Sequence, residues 1–93
     1  MSTTTTQEPL DEAIIQAMTD LHAKGRPWVI RLTVVRHDLV QDALEAGHRR
    51  EREAERRLAR LVASGSVEKD WVLGRYRLAE EPPANALEMV NLR

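Results

Sequence analysis

Six arginines fall within twelve residues of this chain: Arg49, Arg50, Arg52, Arg56, Arg57 and Arg60. An arginine side chain is a permanently charged planar fork. It grips phosphate, or the O6 and N7 of guanine, through paired hydrogen bonds. The chemistry on offer is therefore anion recognition. On a helix turning ~100° per residue, with Leu58 at zero, Ala54, Leu61 and Val62 fall within about 60°. Arg49, Arg52, Arg56 and Arg60 fall on the far side with Glu53 among them, and Arg50 and Arg57 lie on one flank. Four arginines then span about 16 Å at ~1.5 Å per residue, and such a face can enter the ~12 Å major groove of B-DNA. The same stretch carries Glu51, Glu53 and Glu55. Glu53 and Arg57 are spaced i,i+4 in the favoured order, so a self-paired, solvated helix is the competing reading. Each glutamate also repels phosphate, which argues against strong non-specific binding.

Three further cations, Lys69, Arg75 and Arg77, follow the arginine cluster. Residues 1–23 sum to a charge of −4, residues 24–77 to +5 and residues 78–93 to −2. The overall charge of −1 thus hides a basic middle, and a polyanion responds to the local field. Other chemistries find little support. There is no cysteine, so neither a disulfide nor a thiolate metal site can form. His22, His37 and His48 lack metal-ligand spacing, and no glycine-rich phosphate loop is present. Neither an enzyme, a metal, a cofactor nor a small-molecule effector is expected.

These side chains need elements to hold them. The chain has 93 residues, 42% hydrophobic and 31% charged, which suits one folded domain. Residues 1–8, with four consecutive threonines, read as a disordered arm without the features of a signal peptide. No apolar run approaches the ~18 residues of a membrane span, and a cytoplasmic setting without membrane contact is expected. Apolar residues at 10, 13, 14, 17, 18 and 21 describe a helix over Leu10–Lys24, ended by Gly25 and Pro27. Trp28–Leu32 reads as a short strand. A second helix follows, capped either by Thr33 or by Asp38 with Gln41 in a capping box, and stopped by Gly47. The third helix covers Arg49–Ala63, and Ser64-Gly65 closes it.

Val67–Leu73 and Tyr76–Leu78 then form a hairpin. A turn on Gly74-Arg75 sets Trp71 opposite Leu78 and Leu73 opposite Tyr76. A rival register centred on Val72-Leu73 pairs Glu68 with Arg77 and Asp70 with Arg75. The glycine turn is favoured because Val-Leu is a poor turn sequence. Trp71 is read as hairpin packing and Trp28 as core edge. Pro82-Pro83 interrupt the chain, and residues 80–93 form a linker and a short helix or tail.

The order helix-strand-helix-helix-strand-strand, with the segments Leu58–Val67 and Gly74–Leu78, resembles the winged helix-turn-helix superfamily. The resemblance covers roughly Leu10–Ala79 and selects no subfamily. It implies a mainly α, α+β fold over residues 9–79 with a small β-hairpin wing. It also implies that the third helix is the recognition helix of a sequence-specific double-stranded DNA-binding protein, such as a transcriptional regulator. The wing would touch the adjacent minor groove or the backbone. Arg75, expected at the hairpin tip, is its best-placed residue, with a cross-strand ion pair as the equal alternative. The chain departs from the pattern in one respect: about two residues more than usual separate Gly47 from Leu58. Many winged helices instead serve protein–protein contact within larger assemblies, and the fold alone does not decide. A homodimer formed by the first helix and the tail, which carries Leu87, Met89, Val90 and Leu92, is expected on a near-palindromic site.

The phase of the third helix is directly testable. Leu58 and Leu61 should be buried against Ile14, Ala17 and Leu21, so Leu58→Ala should cost about 2–5 kcal/mol in denaturant unfolding. A loss below ~0.5 kcal/mol would mean that the phase is wrong.

Overall fold

A computed structural model describes residues 9–79. The expected arm at 1–8 and tail at 80–93 lie outside the described residues. Helix α1 spans Pro9–Ala23 and buries Leu10, Ile14, Ala17, Met18 and Leu21 on one stripe. Pro9 suits the first helical position because its missing N–H has no intrahelical acceptor there. Gly25, at φ +82°, ends the helix. Its N–H donates to the His22 carbonyl at 3.0 Å, and the Arg26 N–H donates to Leu21 at 2.9 Å. This pairing satisfies carbonyls that the helix end leaves open.

Strand β1 is only Val29–Ile30, and α2 begins at once, spanning Arg31–Val35. The expected strand through Leu32 is thus cut short by a helical turn. That turn lets Val34 and Val35 reach the core, where both are buried. Helix α3 follows as Asp38–Ala46, so the single second helix expected is two. Neither Thr33 nor Asp38 caps it. His37 does, its Nδ1 accepting from the Leu39 N–H at 3.1 Å. An accepting Nδ1 places the ring proton on Nε2, which donates to Asp20 Oδ2 of α1 at 2.8 Å. Gln41 ties back to the Val35 carbonyl through its side-chain amide at 2.8 Å. One histidine therefore caps a helix and anchors it to α1.

Helix α4 spans Glu51–Ala63 and buries Ala54, Leu58 and Leu61. It ends as α1 does, on Gly65 at φ +88°, with Gly65 N–H to Val62 at 3.1 Å and Ser66 N–H to Leu61 at 2.9 Å. The turn between α3 and α4 has the same bonds, His48 N–H to Glu45 at 3.1 Å and Arg49 N–H to Leu44 at 2.8 Å. Here, however, the left-handed residue is His48, at φ +54°. Gly47, the expected stop, sits at φ −95°, where any residue is comfortable.

Strands β2 (Val67–Asp70) and β3 (Arg75–Leu78) form the hairpin, and the antiparallel sheet runs β1-β3-β2. Glu68 faces Arg77 and Asp70 faces Arg75, so the favoured glycine turn is overturned. The connection is a four-residue loop, Trp71–Gly74, with the glycine last at φ +66°. Asp70 organises it: its Oδ1 accepts from the N–H groups of Val72 (3.0 Å) and Leu73 (3.2 Å). Its carbonyl accepts from Gly74 at 2.8 Å. Val-Leu needs no turn propensity of its own when the preceding aspartate supplies the hydrogen bonds. Val29, Val67 and Tyr76 on the inner sheet face join the helical stripes in one core, and no polar residue is buried in it among the described residues. The described chain is an α+β domain of four helices and three antiparallel strands.

Two local features give measurable consequences. Relief of the left-handed conformation in His48→Gly should raise stability by about 0.5–1 kcal/mol, read as a higher denaturant midpoint at unchanged slope; a lower midpoint would count against strain at His48. At Asp20, burial pushes the carboxyl up, but hydrogen bonds from His37 and Lys24 and the Lys24 charge outweigh it and hold the group below its ordinary value. A carboxylate depressed in the folded state stabilises the fold above its unfolded pKa of about 3.9 and ceases to do so as pH falls through the folded value. Stability should accordingly drop below about pH 4, and Asp20→Asn should flatten that acid limb; an unchanged limb would dissociate Asp20 from acid unfolding.

Candidate nucleic-acid interface

The core stripe of α4 fixes what its other side presents. With Ala54, Leu58 and Leu61 turned inward, Arg52, Arg56 and Arg60 are left exposed. Spaced by four residues, they line one side of the helix over about 12 Å. Arg56 lies 3.7 Å from Glu53, with its side chain still 68% exposed, and an exposed pair of that length holds its charge loosely. Glu51 is drawn back toward α3, where Gln41 Nε2 donates to it at 3.2 Å. The glutamate that shares the arginine face is Glu53, partly exposed beside Arg56.

The other three arginines of the cluster are placed differently. Arg57 is half-buried and turned to α1, 3.8 Å from Asp11 Oδ2. Arg49 and Arg50 precede α4; Arg50 is its N-cap residue, with extended backbone and no side-chain capping bond. A helix from Arg49 was expected, but the backbone bond from Arg49 to Leu44 closes the end of α3. Helix α4 thus begins two residues later, at Glu51.

The hairpin cations are engaged across the strands. On the outer sheet face Arg77 Nε donates to Glu68 at 2.7 Å, and Arg75 meets Asp70 at 3.2 Å. Both guanidinium groups also lie over the ring of Trp28, Arg77 at 4.7 Å and Arg75 at 5.1 Å. Carboxylates of β2, guanidinium groups of β3 and the indole before β1 form successive layers, each favourable to the next. Arg75 is the first residue of β3 and not the tip, which corrects its expected position; its cross-strand ion pair is the alternative that the structure contains. Asp70 is held below the ordinary carboxylate range by the Leu73 N–H and then by Arg75 and the Val72 N–H, against partial burial. Lys69 sits 4.0 Å over Trp71 and 5.3 Å over Tyr76.

Trp71 itself is exposed, contrary to its reading as hairpin packing, because the four-residue loop carries it beyond the paired strands. The platform role of Trp28 was not read from sequence. Its signal, an aromatic residue one position before a strand that pairs with Arg-Tyr-Arg, depends on a register known only from the fold. Among the described residues no cluster of three or more potential metal ligands exists, and no helix is long and apolar enough to cross a membrane. Compared with protein-family models, with curated proteins and with solved structures, the chain matches none.

Proposed function

We propose that this chain is a cytoplasmic winged helix protein that binds double-stranded DNA in a sequence-specific way, as a transcriptional regulator does, with α4 in the major groove. The observation that carries this reading is the row of Arg52, Arg56 and Arg60 on the exposed side of one helix whose opposite side is core. Arginines four residues apart stand about 6 Å apart along the axis, close to two base-pair steps, and each is able to bond guanine edges or flanking phosphates. Arg50 and Arg49, ahead of the helix, suit the groove wall. The wing contributes less than the sequence implies, since Arg75 and Arg77 would have to leave carboxylates and an indole to reach phosphate.

The paired substitution Arg52→Ala with Arg56→Ala tests this. Duplex binding should weaken by tenfold or more at moderate salt, and if both contact phosphate the salt slope should fall by about two. The circular dichroism spectrum should stay native because both side chains are exposed. Unchanged affinity with a native spectrum would remove α4 from any DNA interface.

A further inference from the structure

The described residues hold five exposed large apolar side chains: Ile30, Leu32, Trp71, Val72 and Leu73. All five lie at one end of the sheet. Ile30 faces Arg75, and Arg75 faces Asp70, so this three-strand row is the last before the hairpin loop. Beyond it stand Trp71 (76% exposed), Val72 (91%) and Leu73 (61%) on one side. On the other, α2 begins and carries Leu32 (47%) directly after Ile30 (51%) and Arg31. The loop is also prepared to lose water. The N–H groups of Val72, Leu73 and Gly74 are all satisfied by Asp70, and burying them leaves no unpaired donor. An apolar concentration of this kind marks a contact surface.

We propose that this end of the sheet is the face through which two copies of the chain associate. The five side chains expose on the order of 500 Å² per copy, and a two-fold contact between them buries on the order of 1,000 Å² in total, the lower bound for a specific interface. Closed two-fold symmetry is also the commonest arrangement for identical chains. The other obvious route, joining sheets at the edge strand β2, is opposed by charge. A two-fold pairing centred on Lys69 with the sheet faces aligned sets that residue against its own copy and Glu68 against Asp70, and like charges placed opposite each other destabilise. The apolar end meets no such repulsion and carries Arg31 and Lys69 at its rim. The inference relocates the dimer interface expected at α1 and the tail, and it stands independently of the DNA reading.

Sedimentation of the full chain over about 10–500 µM tests it, because an interface at the lower bound of size is a weak one. The wild-type chain should pass from monomer to dimer. Val72→Asp, at the most exposed of the five positions, should stay monomeric with a native circular dichroism spectrum, and Trp71→Ala should shift the midpoint at least fivefold. A chain ending at Glu81 should still dimerise. In a Trp28→Phe background, the emission of Trp71 should move to shorter wavelength across the same concentrations. A wild-type monomer throughout, a dimer that ignores both tip substitutions, or a dimer lost only on truncation would each overturn the proposal. So would a monomer whose tip binds anionic phospholipid vesicles. Loss of DNA binding with the dimer intact would count against the DNA reading alone.

Discussion

Leu10, Ile14, Ala17, Met18 and Leu21 form a stripe on α1 that has to be kept from water, and the remaining elements are arranged around that need. Helix α3 brings Val40 and Leu44, α4 brings Ala54, Leu58 and Leu61, and the short α2 adds Val34 and Val35. The sheet closes the open end with Val29, Val67 and Tyr76. Since this core contains no buried polar residue among those described, its specificity comes from shape and from the polar ties at its margin. One such tie is His37, whose two ring nitrogens serve different helices. Because Leu58 and Leu61 must point at α1, Arg52, Arg56 and Arg60 must point away, and the candidate interface is a by-product of core packing.

Charge is used in two distinct ways on this surface. On the sheet, both arginines are answered across the strands: Arg77 by Glu68, Arg75 by Asp70, and each also by Trp28. Such a ladder specifies register, since a slip by one residue would turn every pair to the opposite face. On α4, by contrast, Arg52, Arg56 and Arg60 stay exposed, and Glu51 and Arg57 of the same helix are turned to neighbouring elements. The sorting of arginines into structural and available sets follows from which element carries them.

Much of this was legible in the chain. The stripes of α1 and α4 were, because helical spacing of large apolar residues has few alternative explanations. Whether Arg52, Arg56 and Arg60 would be exposed was likewise settled by the phase of Leu58. Gly74 has the look of the first residue of a two-residue turn, but it closes a longer loop organised by the side chain of Asp70. Charge pairing pointed to the correct register, and turn propensity outvoted it. The break between α2 and α3 was hidden because the capping residue is histidine, which is not among the usual cap residues. The left-handed position after α3 was misplaced by one residue for a related reason: the glycine stands beside the site, and His48 occupies it. What stayed illegible depends on side-chain bonds to backbone that only a formed fold brings within reach.

The pairing of β1 with β3 has a consequence for the order in which the domain assembles. Most of its turns are local, joining residues three to five apart, and the hairpin joins neighbours across a four-residue loop. Val29 and Tyr76, however, are 47 positions apart and meet through a strand of two residues. Closing a loop of that length costs about 3 kcal/mol in chain entropy before any constant term, more than so short a ladder returns. β1 is therefore retained by the burial of Val29 and the stacking of Trp28 under two guanidinium groups. By contact range the hairpin is a local pairing, whereas this seam needs residues 47 positions apart to meet.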